Sequence, residues 1–436
     1  MHHLLRTLIK RQGVISLTLI FPLLCLLLLV QCKPLPKEPL TPGHEDPSNP
    51  ILPPNKPDEP QPKPLTVDYV LDPCEELLLK TKAKGTSYQW SYAQYKNGEE
   101  HEAKYTLFSE EETPYFFVSE SGFYKILAKV KTSGRVIEES YIIEVRSSNF
   151  KHSPYITQVF DFTPAPGQFV NEAPKWIEGM TYKELLDVVL KRLGGTNKNY
   201  VSLGAYGGSI TFGFDHLVPN LDGPDLVIWG NAFPKSSEAG IVQVAYDANH
   251  NGIPDDPWYE LYGSAHKEPD ATFHYSITYY RPDSKKQPVL DPKEPAVIDA
   301  EYIRWEDNQG NSGFIPQNKY HKQSYYPAWI KEDSYTLSGT RLKNNAVLTT
   351  KGESKIWELN PFEWGYVDNK PNNDPNGSQF DLSHARDSKG NPVALKGIHF
   401  VKVYTALNQV AGVIGETSTE VMHAYDIRYR KLLEKR

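Results

Sequence analysis

The segment 247–256 has the spacing of a calcium-binding loop. It reads Asp-Ala-Asn-His-Asn-Gly-Ile-Pro-Asp-Asp, and its candidate ligands are Asp247, Asn249, Asn251, the carbonyl group of Ile253, Asp255 and Asp256. Calcium takes 6–8 oxygen ligands, and alternate Asp and Asn side chains converge on one point where a glycine, here Gly252, bends the chain. Trp258 stands where an EF-hand has its bidentate glutamate, so Asp256 or Glu260 would complete the coordination. We predict one structural Ca²⁺, with a metal-free Asx-rich turn as the alternative.

A second candidate site is the aromatic-rich segment 305–335. Its Trp and Tyr side chains are interleaved with Asn, Gln and His, and stacking rings beside amide groups suit a sugar or a planar macrocycle. The candidate ligand contacts are Trp305, Tyr325, Tyr326 and Trp329. For each ring taken alone, a place in a β-rich core is the alternative.

Signatures of catalysis are missing from the sequence. It has no G-x-S-x-G, H-E-x-x-H or G-x-x-x-x-G-K-[ST] motif. A glycan hydrolase remains an alternative, because a glycosidase needs two carboxylates about 5–9.5 Å apart and the sequence contains acid pairs such as Asp381 and Asp387. The net charge of −7 argues against a partner made of nucleic acid. We therefore predict a non-enzymatic protein that binds a ligand.

The elements that would position these sites are mainly β. Over 66–147, short alternating runs and turns have the spacing of an immunoglobulin-like sandwich, with Trp90 at a core position. Over 154–430, strands outnumber helices, which favours a large jelly-roll-like sandwich with long loops. The runs that predict strands there include 209–214, 225–230, 240–244, 272–280, 364–367, 399–404 and 418–427.

One helix is clear in the second domain. Thr181 and Glu184 have the spacing of a capping box, apolar residues follow at helical intervals up to Leu193, and Gly194 comes next. The helix is therefore expected to begin after Thr181 and to end at Leu193.

The N-terminal residues have the pattern of a targeting signal followed by a linker. Residues 1–32 have a basic start and a long apolar run, which is typical of a secretory signal peptide, and a membrane-spanning anchor is the alternative. The run ends at Leu29-Val30-Gln31-Cys32, which resembles a bacterial lipobox with Cys32 as the acylated residue. Residues 33–65 are dense in proline and charge, and as an extended linker they would reach on the order of 100 Å. Cys74 then remains alone, so no intramolecular disulfide is expected.

Several strings together resemble a known family. They are Val227-Ile228-Trp229-Gly230-Asn231-Ala232-Phe233, Trp364-Gly365-Tyr366-Val367-Asp368-Asn369 and Phe400-Val401-Lys402-Val403-Tyr404-Thr405, with a PKD-like pattern in the first module. The whole chain looks like the PKD-domain "cell surface proteins" of gut Bacteroidota. This resemblance implies an outer-membrane lipoprotein at the cell surface that binds a glycan or a corrinoid-type cofactor, with a TonB-dependent transporter as candidate partner. A glycan hydrolase and an adhesion or scaffold protein are the alternatives.

Overall fold

The computed structural model describes residues 66–95, 104–197, 199–352, 354–374 and 377–434. The predicted signal peptide, Cys32 and the linker 33–65 lie outside these residues. All of the described residues belong to one compact unit, Pro62–Arg436. None of the helices in the described ranges combines the length and the apolar character that a membrane crossing requires. The fold is mainly β, as the sequence predicts.

The N-terminal part is a sandwich of a five-stranded and a two-stranded sheet. The larger sheet has the order β1-β7-β6-β3-β4, and the smaller pairs β2 with β5. Their bounds are β1 Tyr69–Leu71, β2 Leu77–Leu78, β3 Ser87–Tyr95, β4 Thr106–Ser109, β5 Tyr115–Phe116, β6 Gly122–Lys131 and β7 Val136–Val145. Strands β1 and β7 are parallel, and the other pairs are antiparallel.

Alternation along the central strands builds the core of this sandwich. In β6, Ile126, Ala128 and Val130 are buried while the residues between them are more exposed, as a period of two requires. Trp90 is fully buried among them, and its indole N–H donates to the Glu111 carbonyl at 2.9 Å. The prediction that Trp90 is a core residue is confirmed.

The larger part is built on a six-stranded sheet of order β21-β13-β12-β22-β10-β8. Its strands are β8 Gln158–Thr163, β10 Ser209–Pro219, β12 Gly240–Ala245, β13 Trp258–Leu261, β21 Ala385–Arg386 and β22 Gly397–Thr405. A four-stranded sheet of order β16-β15-β14-β17 consists of β14 Thr272–Tyr280, β15 Val297–Asp307, β16 Ser312–Asn318 and β17 Ser334–Arg341.

Smaller sheets complete this part. One has the order β20-β11-β24, with β11 Leu226–Ile228, β20 Gln379–Phe380 and β24 Ala424–Asp426. Two-stranded pairs join β18 Ala346–Lys351 to β19 Ser354–Leu359, and β9 Val201–Ser202 to β23 Glu420–Val421. Short 3-10 turns cover Ser264–Lys267, Leu382–His384 and Gly412–Ile414.

Helix α1, Tyr182–Leu193, packs on the six-stranded sheet as its sequence predicts. The Thr181 hydroxyl accepts from the Glu184 N–H, and the Glu184 carboxylate accepts from the Thr181 N–H. Its apolar stripe of Leu185, Val189 and Leu193 is fully buried in the main core. Both ends of the predicted helix are confirmed.

Three details differ from the expected elements. Residues 364–367 form a loop, in which Gly365 has φ +92° and, having no Cβ, packs closely against the Gly263 backbone. The long strand predicted over 418–427 is two short strands, β23 and β24. A second helix that was not expected from the sequence, α2 Ile427–Glu434, follows β24 directly.

Candidate functional site

The loop 247–256 brings its oxygen-bearing side chains together. The carboxylate of Asp247 accepts from the N–H groups of Asn251 and Gly252 at 3.1 and 2.8 Å. The side-chain amides of Asn249 and Asn251 both donate to the Asp255 carboxylate, at 3.2 and 3.0 Å. Gly252 has φ +72°, so the sharp turn that the spacing requires is made at the predicted glycine.

The remaining candidate ligands lie at the end of this loop. Asp256 has a buried Oδ2 atom with no hydrogen-bond partner in the described residues. The carbonyl of Ile253 accepts from the Asp255 N–H at 2.8 Å, and the Ile253 side chain is exposed. Oxygen atoms gathered around a tight turn, with a buried carboxylate oxygen left unpaired, fit a hard cation such as Ca²⁺.

His250 of this loop and two residues beside the loop, Tyr246 and His399, contact the N-terminal sandwich. The hydroxyl of Tyr246 donates to Glu76 at 2.8 Å, and ring nitrogens of His399 and His250 lie 3.1 and 3.7 Å from the same carboxylate. Burial alone would raise the pKa of Glu76, but the hydrogen bonds and the charge of His399 lower it overall. The ring of Tyr115 stacks on His250 at 3.5 Å. The loop therefore lies where the sandwich meets the larger part.

Two of the four predicted ligand-contact aromatics are buried. Tyr325 is 0% exposed and Tyr326 is 2% exposed, and both belong to the core over the four-stranded sheet. The Tyr326 hydroxyl donates to the Glu332 carbonyl at 2.8 Å, and the Tyr325 hydroxyl accepts from the Asn318 N–H at 3.3 Å. Because their rings have no free face, their position does not support the ligand contact predicted for them.

The other two aromatics are half-buried and separate from each other. Trp305 packs against the core of the four-stranded sheet, and its indole ring lies over Gly313 on the neighbouring strand. Trp329 packs against the main core, stacked on Phe162 at 5.7 Å and near Trp176 at 5.5 Å. The two rings belong to different packing clusters, so the segment 305–335 does not gather the four predicted side chains into one surface.

A polar row crosses the six-stranded sheet on the face turned away from the main core. One residue of each strand stands in register, and from edge to edge they are Arg386, Glu260, Gln243, Lys402, Thr211 and Asp161. The next residues along these strands, such as Val244, Val401 and Phe212, are fully buried on the opposite face. We call these six residues the polar row.

The central part of the polar row is the floor of a groove of about 400 Å³. The opposite wall comes from the four-stranded sheet, through residues of β14 and β17. Trp258, Tyr262 and Phe273 supply aromatic surface, and the rings of Tyr262 and Phe273 stack at 5.8 Å. Phe273 is 42% exposed.

Tyr262 also lines a neighbouring cavity of about 210 Å³, and Trp364 is another residue of that cavity's lining. Polar groups on the floor with aromatic rings on the wall are the usual features of a small-ligand site.

Glu260 is held in place by four donors. Its Oε1 accepts from the Thr340 hydroxyl at 2.7 Å and from the His266 ring at 3.2 Å, and its Oε2 accepts from the Tyr404 hydroxyl at 2.6 Å and the Gln243 amide at 3.3 Å. Burial alone would raise the pKa of Glu260, but the hydrogen bonds from His266, Tyr404 and Thr340 lower it. Glu260 is therefore an ionised carboxylate with four hydrogen bonds, which suits a structural anchor better than a proton donor.

The tautomer of His266 follows from its contacts. Its Nδ1 accepts from the Gly263 backbone N–H at 2.9 Å, so that nitrogen carries no proton. In the neutral ring the proton is then on Nε2, which faces Glu260. The ring is also stacked on Tyr262 at 4.4 Å, which links the anchor to the aromatic wall.

Lys402 differs from the other charged residues of the polar row. Its ammonium has no hydrogen bond and no ion pair within 4.0 Å among the described residues. Burial lowers its pKa, and the charge of Asp161 opposes this effect. Asp161 itself accepts from the hydroxyls of Tyr182 and Thr163 at 2.7 and 2.9 Å. The groove thus has a half-buried cation with unused donors.

The larger part also contains a buried acidic cluster. Carboxylate oxygens of Glu238, Asp368 and Glu420 are within 4.8 Å of one another. Burial raises the pKa of Asp368 to about 7, and burial with mutual charge repulsion raises those of Glu238 and Glu420. Asp368 accepts from the backbone N–H groups of Asn231 and Glu420 at 2.7 and 2.9 Å. The cluster therefore ties loops together.

The groove is not among the sites predicted from the sequence, although the sequence holds a signal for it. Lys402 interrupts an otherwise apolar strand, and Trp258, Glu260 and Tyr262 alternate along another. A charged residue in an apolar strand indicates a second face that is not part of the core.

Comparisons with known proteins add little. No family model and no curated protein match the chain. Among solved structures, a SusE-like protein matches with a TM-score of 0.21 and 7% sequence identity, over 82% of this chain and 95% of that chain. A TM-score this low supports no conclusion about fold or function. The PKD-like identity of residues 66–147 stays a prediction.

Proposed function

We propose that the protein is a cell-surface lipoprotein that binds a glycan in the groove over the polar row, without turnover, as an accessory to an outer-membrane uptake system. The observation that carries the ligand site is the polar row beneath the aromatic wall of Trp258, Tyr262 and Phe273. Sugar rings present hydroxyl groups at their edges and C–H faces to aromatic rings, so both surfaces have a counterpart in the groove. The lipid anchor at Cys32 and the transporter rest on the sequence alone.

Glycan binding fits this groove better than a corrinoid-type cofactor does. A groove of about 400 Å³ is near the lower end of the range for small-ligand sites. The neighbouring cavity of about 210 Å³ shares Tyr262 with it, so a chain of sugars has a second place to extend. Binding without turnover is proposed because the anchored carboxylate, Glu260, already has all its acceptor positions filled.

We also propose that the loop 247–256 binds Ca²⁺. The convergence of Asp247, Asn249, Asn251 and Asp255, together with the unpaired Oδ2 of Asp256, supports it. The ion would be structural. It would hold the turn that ends just before β13, the strand that carries Trp258 and Glu260 into the groove.

The experiment is binding of the folded protein to a panel of glycans and corrinoids, followed by calorimetry on each ligand found. Phe273→Ala is the first variant, because Phe273 is exposed and its loss leaves the core intact. Phe314→Ala is the matched control, since Phe314 is 36% exposed and lies on β16, outside the groove. We expect Phe273→Ala to weaken glycan binding about tenfold, 1.4 kcal/mol, and Phe314→Ala to leave it unchanged.

Other results would point elsewhere. Binding of corrinoids alone would replace the glycan as ligand, and release of shorter sugars would make the protein a hydrolase. Binding to no small ligand, with retention on other surface proteins, would favour an adhesion or scaffold role.

A further inference from the structure

We infer that the ligand of the groove is an acidic glycan, whose carboxylate or sulfate group is bound by the Lys402 ammonium. The inference rests on the proposed function, because it names the class of glycan that the same groove would take. It follows from which polar atoms of the groove are already paired and which are not.

The carboxylates of the groove have little acceptor capacity left. Glu260 accepts four hydrogen bonds, which fills the lone pairs of its two oxygens. Asp387 accepts from the N–H groups of Lys389 and Asn391 in its own turn, at 2.9 and 2.8 Å. A ligand that offers mainly donors would therefore find few free partners here.

The cationic side chains of the groove, in contrast, have hydrogen-bond donors that are not used. Lys402 has three N–H donors and no partner for them among the described residues. Arg386 uses one terminal nitrogen, Nη1, on the carbonyls of Ser383 and Ala385 at 3.2 and 2.8 Å. Unused donors thus lie at the centre and at one edge of the polar row, and the complementary ligand supplies acceptors.

The surroundings of Lys402 favour an anionic acceptor over a neutral one. The side chain is half-buried on the floor between Gln243 and Thr211, where water screens its charge less than at an open surface. A partly buried ammonium gains more from a charged oxygen than from a hydroxyl group, since charge-assisted hydrogen bonds are about twice as strong. Asp161, its charged neighbour, lies beyond ion-pair distance.

The test compares three trisaccharides of the same linkage: one built from uronic acids, one sulfated and one neutral. Titrations use the wild type, Lys402→Met and Lys402→Arg. We expect the wild type to bind the uronate or the sulfated sugar at least tenfold more tightly than the neutral one. Lys402→Met should weaken binding of the acidic sugars at least tenfold more than binding of the neutral one, and Lys402→Arg should keep most of the preference. Thermal melts check that Lys402→Met is folded, which the lack of partners for Lys402 predicts.

The outcomes separate the inference from the proposed function. A preference for the uronate that disappears in Lys402→Met assigns a carboxylate, and the same pattern for the sulfated sugar assigns a sulfate. Equal binding of all three sugars by the wild type, or an equal loss for all three in Lys402→Met, would overturn the inference while the proposed function stands. If none of a broad panel of glycans binds, the proposed function fails, and the inference fails with it.

Discussion

Removing Asp247 should abolish the calcium dependence of stability. Its carboxylate accepts two backbone N–H groups, from Asn251 and Gly252, and it is 6% exposed. Hydrogen bonds to a charged group contribute about 1.5–3 kcal/mol each, so Asp247→Ala should cost at least about 3 kcal/mol even without metal. An ion that binds only the folded state adds about 2.7 kcal/mol at a hundredfold excess over Kd.

The assay is urea unfolding of the wild type and Asp247→Ala, each with calcium and with a chelator. We expect the wild type to lose about 2.7 kcal/mol on chelation at that calcium concentration, and the variant to lose nothing. The matched control is Asp387→Ala, because Asp387 accepts two backbone N–H groups and the Asn391 side-chain amide in a similar turn outside the loop 247–256. It should keep the full response to chelation.

Two results would contradict a calcium site in the loop 247–256. The first is a wild-type midpoint that calcium and chelator leave unchanged, which would make the loop a metal-free Asx turn. The second is an equal loss of calcium response in Asp387→Ala, which would place the ion elsewhere.

Four further predictions concern stability and anchoring. Tyr326→Ala should lower the free energy of unfolding by about 3–5 kcal/mol, because the Tyr326 ring is buried in the core. Urea titrations measure this loss, and thermal melts at two protein concentrations check it. Thr181→Ala should cost about 1 kcal/mol through loss of the cap on α1, and a cost near zero would mean that the cap contributes little. Burial raises the pKa of Glu416 from 4.5 to about 8, so the folded state holds a proton that the unfolded chain releases. Stability should therefore fall as the pH rises from 4.5 to 8, by up to about 1.4 kcal/mol per unit, and Glu416→Gln should flatten that slope in unfolding curves across this range. Cys32→Ser should release the protein from the membrane fraction, and an unchanged acyl label would contradict the lipobox.

Local features of the fold could be predicted because their causes are local. The ends of α1 follow from Thr181, Glu184 and Gly194, which are close in sequence to the backbone groups that they cap. The turn in the loop 247–256 likewise needs only Gly252 and the Asx side chains around it. In both cases the residues that decide the structure lie within about one turn of it.

The groove could not be predicted in the same way, because long-range register creates it. The polar row joins Asp161 to Arg386 across six strands, and only the pairing of distant segments puts them on one face. The exposure of the rings in the aromatic segment 305–335 also depends on packing against distant residues. A Tyr hydroxyl that finds a partner, as Tyr326 does at the Glu332 carbonyl, lets the ring be buried, so polar neighbours in sequence do not show exposure.

A crystal structure of the protein with a bound oligosaccharide would show whether the groove over the polar row is the ligand site. Our account predicts a sugar ring against Trp258 or Phe273, with its oxygens above Gln243 and Lys402 on the floor of the groove. A sugar ordered on the half-buried faces of Trp305 or Trp329, with an empty groove, would contradict it.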